Sequence, residues 1–391
     1  MGSLLLAIIY LAFISLGLPD SLLGAAWPVM QGELGVPLSY AGVVTMIITG
    51  GTIISSLMTD RLIRRMGTGL LTALSVGLTA LALMGFSLAG SFGVLCALAV
   101  PYGLGAGAID AALNNYVALH YSSRHMSWLH ACWGVGVTIS PAIMARCLAG
   151  SHGWTAGYRS VALIQLALTA LMLFSLPVWK RHRQAKSTGE GEVVPRVLSL
   201  PQALRIRGVP CILLAFFSFC ALEATGGLWA SSYLVEYRGI DVETAARFAA
   251  LFYSGITAGR FLNGFIADRL GDRTMIRIGV SVMLLGCVLT ALPLKADLPA
   301  LIGLVVIGFG SAPVYPCIIH STPVNFGREN SQSLVGIQMA CAYVGSTFMA
   351  PLFGLIAQHL GIGLYPLYLT AFVLILLIMT EWLNRLVPLK K

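Results

Sequence analysis

Residues 100–121 read VPYGLGAGAIDAALNNYVALHY, an apolar stretch that contains one acid and two adjacent amides. On a helix, Gly103, Gly107, Asp110 and Asn114 share one face, because they recur at intervals of three or four residues. An ionisable side chain at membrane depth costs roughly 2.5–3.5 kcal/mol on insertion scales, so it is usually retained for function. The stretch therefore predicts a membrane helix with one polar face directed at a cavity or a partner.

The composition of the whole chain agrees with a membrane protein. Of 391 residues, 57% are apolar and 10% are charged, and the mean hydropathy is +0.85. Soluble domains carry about a quarter charged residues, whereas apolar windows long enough to cross a ~30 Å hydrocarbon core recur here along the whole length. We predict an all-α integral membrane protein with twelve transmembrane spans: 3–30, 38–59, 69–90, 93–120, 127–149, 157–179, 209–235, 244–267, 275–294, 299–324, 331–357 and 362–386.

The positions of the basic residues predict the orientation. With the amino terminus inside, most of the 24 Lys and Arg residues fall in cytoplasmic loops and helix ends, so both termini are expected in the cytoplasm of a cell-membrane protein. The formal charge of +9 then follows from topology and requires no nucleic-acid partner. The first segment lacks a basic leader and contains Asp20, so we expect a retained helix. Eight cysteines without a CxxC pattern predict neither a disulfide framework nor a zinc site.

One polar interruption divides the chain into two halves that resemble each other. Residues 180–208 are basic and contain Gly and Pro, which predicts a cytoplasmic linker between bundles at 1–179 and 209–391. The run TDRLIRRMG at 59–67 is echoed by ADRLGDRTM at 267–275, and ACWGVG at 131–136 by ACAYVG at 340–345. We therefore predict two pseudo-symmetric six-helix bundles.

These features resemble the major facilitator superfamily, in which a loop between helices 2 and 3 carries Gly, Asp-Arg, a second Gly and two basic residues. DRLIRRMG at 60–67 matches the acid and basic positions, although Ile63 stands where the family has Gly, and 259–273 supplies a second copy. In the family this loop is a cytoplasmic latch between the halves. The resemblance thus implies that the gating residues are Asp60, Arg64, Arg65, Asp268 and Arg273.

Four further segments narrow the resemblance within that superfamily. An acid in span 1, IDAALNNYV at 109–117, LHACWGVG at 129–136 and ALEATGGLW at 221–229 are similar to the fucose-galactose-glucose:proton symporter branch and its sodium-dependent glucose transporter relatives. The resemblance implies transport of a sugar coupled to a cation.

The acids and one arginine suggest how coupling would work. In such bundles the solute site lies near the bilayer midplane between the repeats, and Asp20, Asp110 and Glu223 lie in three spans expected to surround it. A desolvated carboxylate there can bind and release a proton, although a permanently protonated acid used for packing stays an alternative. Arg260 lies eight residues before Asp268, about 12 Å along a helix, and must pair with an acid or face water. The predicted proton-coupling residues are Asp20, Asp110, Glu223 and Arg260.

The same spans offer side chains suited to a sugar, which needs amides for its hydroxyl groups and aromatic faces for its apolar side. Aromatic and amide side chains in membrane helices also serve as core, interface or interhelical contacts, so both interpretations stay open. The predicted solute-binding residues are Asn114, Asn115, His130, Trp133, Trp229, Tyr315 and Gln338.

The resulting hypothesis is a monomeric secondary transporter, in which a proton-coupled symport mechanism moves a monosaccharide or similar small polar solute by alternating access. A drug:proton antiporter and sodium-coupled sugar uptake stay open as alternatives, although GVGVTISPAI at 134–143 lacks the glycine pair typical of the antiporters. No HExxH, GxSxG or P-loop occurs, which argues against an enzyme. We expect no cofactor or metal, with H⁺ as the coupling ion and Na⁺ as its alternative, and the lipid bilayer and a small solute as the partners.

Overall fold

The computed structural model describes residues 2–37, 40–150, 153–187, 196–294 and 296–388. Every regular element in these ranges is helical, which confirms the predicted all-α fold. Long apolar runs favour this outcome, because a helix satisfies its backbone hydrogen bonds internally and needs no water inside the bilayer.

Helices of the first half follow the first six predicted spans. Span 1 forms α1 (Gly2–Gly17) and α2 (Leu22–Leu34), and the next five spans form α3 (Tyr40–Met66), α4 (Thr68–Phe86), α5 (Phe92–His120), α6 (Ser123–Ala149) and α7 (Gly153–Phe174). The predicted linker region contains most of α8 (Leu176–Ser187) and the short α9 (Leu200–Leu204). Residues 188–195 of that predicted linker lie outside the described residues.

Helices of the second half follow the last six predicted spans. They are α10 (Val209–Ser232), which continues as a π-helical turn at Tyr233–Tyr237, α11 (Val242–Leu270), α12 (Asp272–Ala291), α13 (Leu298–Ser311) with α14 (Val314–Phe326), α15 (Arg328–Leu360) and α16 (Tyr365–Leu386). Within the described ranges, eleven helical segments are long and apolar enough to cross a membrane. The eighth predicted span, α11, is not among them, because Arg260 and Asn263 lower the hydropathy of its centre.

The chain divides into two compact units. The first unit comprises residues 1–116 and 129–197, and the second comprises 117–128 and 198–391. Residues 117–128, which we call the connecting segment, contain the end of α5, the junction at 121–122 and the start of α6. This segment belongs to the second unit, although the helices that it joins lie mainly in the first.

Spans 1 and 10 are interrupted helices, and a proline accounts for each of these two interruptions. Pro19 lacks an N–H group, so the carbonyl of Ser15 loses its helical partner, and the buried Gln165 donates Nε2 to that carbonyl at 2.6 Å. Thr79 in turn donates to Gln165 Oε1 at 3.1 Å. In span 10 the break falls at Ala312 and Pro313. The first break places Asp20 between two half-helices instead of inside one helix.

The end of span 2 differs from the prediction. The run at 59–67 was expected to form a loop, but α3 continues to Met66 and only Gly67 separates it from α4. Leu62 and Ile63 pack against Leu71, Ala108 and Ala112, which explains why the helix continues. Gly67 itself has a φ of 78°, a conformation that favours glycine.

Small residues of α5 pack closely against α3. A Cβ atom at Gly103 or at Gly107 would overlap the backbone of Ile48 or of Thr52 in α3. Thr52 Oγ1 donates to the carbonyl of Gly103 at 3.2 Å, so a side chain of α3 is hydrogen-bonded to the backbone of α5. The packing fixes the face of α5 on which Asp110 lies.

Candidate functional site

The first unit holds a carboxylate at the break in span 1. Asp20 Oδ2 accepts a hydrogen bond from Trp133 Nε1 at 2.8 Å, and Oδ1 accepts one from the Tyr102 hydroxyl at 3.3 Å. Tyr102 is buried, whereas Asp20 is exposed to solvent. Both donors are neutral, and Asp20 has no ion pair with any described residue. An exposed acid midway along an apolar span indicates a wet cavity, because contact with lipid would be costly.

A second acid in the same unit leads through an amide to a histidine. Asn114 Nδ2 donates to Asp110 Oδ1 at 2.7 Å and to the Asp110 carbonyl at 3.0 Å, and His130 Nε2 lies 3.0 Å from Asn114 Oδ1. All three side chains are buried. Because the amide nitrogen faces two acceptors, its oxygen must face His130, and the His130 Nε2 atom must carry a proton. The ring of Phe13 packs edge-on against His130 at 5.5 Å between centroids.

The structure thus brings together five of the predicted residues of the first unit as two neighbouring groups. Asp20 and Asp110 also interact electrostatically. Asn115 is buried beside Asn114. Tyr102 and Gln165 were missed by sequence reasoning: a tyrosine in an apolar helix gives little signal, but a glutamine there, with Pro19 freeing a carbonyl, was a signal for an interhelical hydrogen bond.

The second unit pairs the predicted acid and arginine. Arg260 Nη2 lies 3.3 Å from Glu223 Oε2, with the arginine side chain 3% exposed and the glutamate side chain 21% exposed. The Arg260 guanidinium also lies 5.9 Å from the centre of the Tyr315 ring, a cation–π distance. Phe216 packs edge-on against the same ring at 4.7 Å between centroids. The buried guanidinium of Arg260 therefore contacts both a carboxylate and an aromatic ring.

The remaining predicted solute-binding residues of the second unit lie in different surroundings. Gln338 is fully buried, and its Oε1 accepts a hydrogen bond from Thr322 at 3.0 Å, while its Nε2 has no partner among the described residues. Trp229 Nε1 donates to the Ala350 carbonyl at 2.8 Å, and its ring packs against Phe353, as in an ordinary interhelical contact.

The residues predicted to gate lie in two unlike settings. Asp60 is buried inside α3 with Arg64 3.5 Å away, and the Arg65 side chain is exposed. Near the end of α11, Asp268 accepts hydrogen bonds from the backbone N–H of Arg124 at 2.9 Å and from its Nε at 2.8 Å. Arg273 donates hydrogen bonds to the Asn325 side chain and to the Val387 carbonyl. The echoed acids therefore occupy different positions relative to their helix ends.

Asp268 lies beyond the predicted eighth span, and its pKa is lowered from its ordinary value of 3.8. Partial burial opposes ionisation and is the largest single influence. The hydrogen bonds from Arg124 and from the Ser122 hydroxyl, which is 2.9 Å away, together outweigh it. The carboxylate is therefore ionised near neutral pH and holds the connecting segment.

Comparison with known proteins identifies the family. The model of the Major Facilitator Superfamily matches residues 9–322 and 211–390, essentially the whole chain. The chain belongs to the Major Facilitator Superfamily. Its members are transporters and not enzymes, and the chain is a multi-pass membrane protein of this family.

Relatives within the superfamily are distant and diverse. The chain is 24% identical over 281 residues to Bypass of stop codon protein 6 of Saccharomyces cerevisiae, with 66% of this chain and 56% of the yeast protein covered. It is 25% identical over 273 residues to the cis,cis-muconate transport protein of Acinetobacter baylyi, covering 68% and 66%. It is 24% identical over 363 residues to the fosmidomycin resistance protein of Escherichia coli, covering 88% and 84%. The chain thus spans less than two thirds of the length of the first two.

Solved structures share the fold. The transporter FucP in the outward conformation superposes with a TM-score of 0.78 at 15% identity, covering 97% of this chain and 98% of FucP. The proton:xylose symporter XylE gives a TM-score of 0.77 at 12% identity, covering 99% and 96%. At these identities the likeness concerns the fold alone.

Proposed function

We propose that this transporter is a symporter that couples the movement of a monosaccharide or a similar small polar solute to a proton gradient by alternating access. The observation that carries the proposal is the pair of neighbouring acid groups in the first unit, Asp20 with two neutral donors and Asp110 with Asn114 and His130. The fold is shared with the proton:xylose symporter XylE, which agrees with a transporter of this architecture.

Proton exchange is assigned to Asp20 first. Its ionised form is stabilised by hydrogen bonds from Trp133 and Tyr102, but these donors carry no charge. Removing water from the cavity would therefore favour the protonated acid, and admitting water would favour the carboxylate. A group balanced in this way can load a proton on one side of the membrane and release it on the other.

We assign Asp110 and His130 to the coupling between proton uptake and solute binding. With Asp110 ionised, Asn114 makes a charge-assisted hydrogen bond to it, and the polarised amide oxygen in turn accepts from His130. Protonation of Asp110 weakens the first bond and thereby the second. Because both donors of Asn114 are used inside the protein, we assign this residue to the link, and assign solute hydroxyl groups to Trp133, His130 and Asn115.

In the second unit, we assign Glu223 and Arg260 to proton coupling, and Tyr315 and Gln338 to solute binding. Tyr315 offers an aromatic face, and the unpartnered Nε2 of the buried Gln338 offers a donor. Trp229 already uses its indole nitrogen in a helix contact, so we expect it to contribute to packing. We further propose that both termini lie in the cytoplasm, because of the distribution of basic residues along the chain. A monomer is proposed as the functional unit.

A carboxylate solute is the second candidate, favoured by one observation. The buried guanidinium of Arg260 lies beside Tyr315 and an acid that is partly exposed, an arrangement that a solute carboxylate could enter if Glu223 took up a proton. The relative from Acinetobacter is named for transport of cis,cis-muconate, a dicarboxylate.

The test uses the purified protein in liposomes with a pH-sensitive dye in the lumen. Monosaccharides, cis,cis-muconate and fosmidomycin are added outside, each with and without sodium. We expect acidification of the lumen with a monosaccharide in the absence of sodium, and its loss in Asp20→Asn and Asp110→Asn but not in the control Asp297→Asn, an exposed acid near the start of α13. Strict sodium dependence, a response to muconate alone, or alkalinisation with fosmidomycin would contradict the proposal and favour the corresponding alternative.

A further inference from the structure

A histidine outside the proposed transport site binds two acceptors at once. His320, on α14, places Nδ1 at 2.7 Å from Asp272 Oδ2 and Nε2 at 3.1 Å from the backbone carbonyl of Tyr121. Its side chain is 17% exposed, and that of Asp272 is 13% exposed. The carbonyl belongs to the connecting segment, so one imidazole ring joins that segment to α12.

This geometry fixes the number of protons in the group. A neutral imidazole has one N–H donor, whereas a carbonyl and a carboxylate can only accept. The two short contacts therefore require one proton more than a neutral histidine and an ionised aspartate would hold, whether it lies on Nδ1 or on Oδ2. Without that proton, a ring nitrogen lone pair would face an oxygen lone pair, and one of the two hydrogen bonds would be lost.

The same aspartate holds the connecting segment a second time. Asp272 Oδ1 accepts a hydrogen bond from Ser123 Oγ at 2.6 Å. Farther along, Arg328 Nη2 donates to the Leu119 carbonyl at 3.2 Å, and Trp128 Nε1 donates to the Phe261 carbonyl at 3.2 Å. The segment is thus held from α11, α12, α14 and α15, and two of these contacts depend on the Asp272–His320 pair.

The surroundings of His320 contain few other charges. The charged and titratable groups that face it or its partner are Asp272, Asp268 with its partner Arg124, Tyr121, and Cys317 beside Asp272 and Ser123. Asp268 is already neutralised by Arg124. The connecting segment also carries His120 and His125, and the His125 ring packs edge-on against Tyr121 at 5.7 Å between centroids. Because histidine is the side chain that titrates near neutral pH, the protonation of His320 has to be measured at its own ring.

We propose that His320 and Asp272 form a proton-dependent clasp on the connecting segment: the clasp tightens the hold on residues 117–128 while the pair keeps its proton, and it loosens that hold when the pH on that side rises. The segment continues into α5, which carries Asp110 and Asn114, and into α6, which carries His130. Loosening the segment increases the mobility of the adjoining ends of both helices. The clasp would regulate the transporter by pH, on the face that the basic residues assign to the cytoplasm, and it depends on neither the solute nor the coupling ion.

The experiment measures the protonation of the His320 ring and the amide protection of the connecting segment separately, without any solute. Nitrogen-15 spectra of protein with labelled histidine, in nanodiscs, are recorded from pH 6 to 9, and the His320 signals are assigned by their absence in His320→Gln, or by their shift in Asp272→Asn if the first variant does not fold. Amide hydrogen exchange of residues 117–128, corrected for its intrinsic pH dependence, is measured in parallel.

We expect His320 to have protons on both ring nitrogens, or a proton shared with Asp272, at neutral pH. Loss of this proton should accelerate exchange in the segment roughly tenfold, and both variants should exchange fast at every pH. His359→Gln, a change at an exposed histidine near the end of α15, serves as the control and should behave like the parent. A neutral ring with one donor throughout, or segment protection that stays constant while the ring titrates, would overturn the proposal.

Discussion

Arg260 and Glu223 lie 3.3 Å apart, although 37 residues separate them in the chain. The guanidinium is buried in α11, while the carboxylate on α10 keeps partial contact with solvent. A buried cation is stable only with a compensating partner, so removing the acid is expected to destabilise the second unit.

The first prediction concerns Glu223→Gln, which keeps the size of the side chain and removes its charge. We expect the free energy of unfolding to fall by about 1–3 kcal/mol, toward the lower end because Glu223 is partly exposed. Thermal unfolding in detergent measures the change. The control is Glu243→Gln, whose partner Arg247 is exposed, and this change should leave the midpoint where it was. Equal midpoints for the parent and Glu223→Gln would show that the Arg260 charge is compensated without Glu223.

The second prediction concerns Asn114→Ala, which removes the amide between Asp110 and His130. Each of these buried groups then loses a hydrogen bond, at a cost of about 1–3 kcal/mol, and the proton on one no longer affects the other. We expect the pH profile of solute binding to flatten or shift, as measured by tryptophan fluorescence over pH 5–8. The control is Asn384→Ala, because the side-chain amide of Asn384 makes a long contact of 3.5 Å with Glu381. An unchanged profile in Asn114→Ala would assign Asn114 to packing.

Sequence reasoning is most informative where one residue type is costly in its surroundings. Asp110, Glu223 and Arg260 stand out in apolar spans, because a membrane penalises each of them individually. Their partners could not be derived in the same way. The pairing of Glu223 with Arg260 depends on how α10 and α11 pack, which no local spacing encodes.

Local rules also explain what was missed. The similar sequences at 59–67 and 267–275 suggested equivalent loops. Leu62 and Ile63 have apolar neighbours, however, and the helix continues through them. Asp60 is therefore buried within α3, while Asp268 lies near a helix end. At Pro19, by contrast, the missing N–H group and the intramembrane Gln165 were both visible in the sequence, and combining them would have predicted their contact.

The third prediction concerns the packing of α5 on α3. Gly107→Ala would bring a Cβ atom into the backbone of Thr52, which cannot move without shifting a whole helix. We expect a loss of about 1–3 kcal/mol in stability, visible as lower yield and a lower unfolding midpoint. Gly93→Ala is the matched control on the same helix, because its Cβ meets nothing within 4 Å. There the better helix propensity of alanine should leave the midpoint equal or higher. Equal midpoints for the two variants would contradict the close packing.

The fourth prediction concerns the pH dependence of the contact between Asp268 and Arg124. Because the folded protein lowers the pKa of Asp268 below 3.8, the contact stabilises the fold fully above that pH and loses its contribution as the pH falls through the lowered value. Asp268→Asn should therefore lower stability by about 1 kcal/mol or less at pH 5–8, since the pair is partly exposed. The difference from the parent should shrink below about pH 4. Thermal unfolding of both proteins at pH 7, 5 and 3.5 measures this, with Asp297→Asn as a control that shows no such convergence. A penalty that grew on acidification would mean that Asp268 is not the group that holds Arg124.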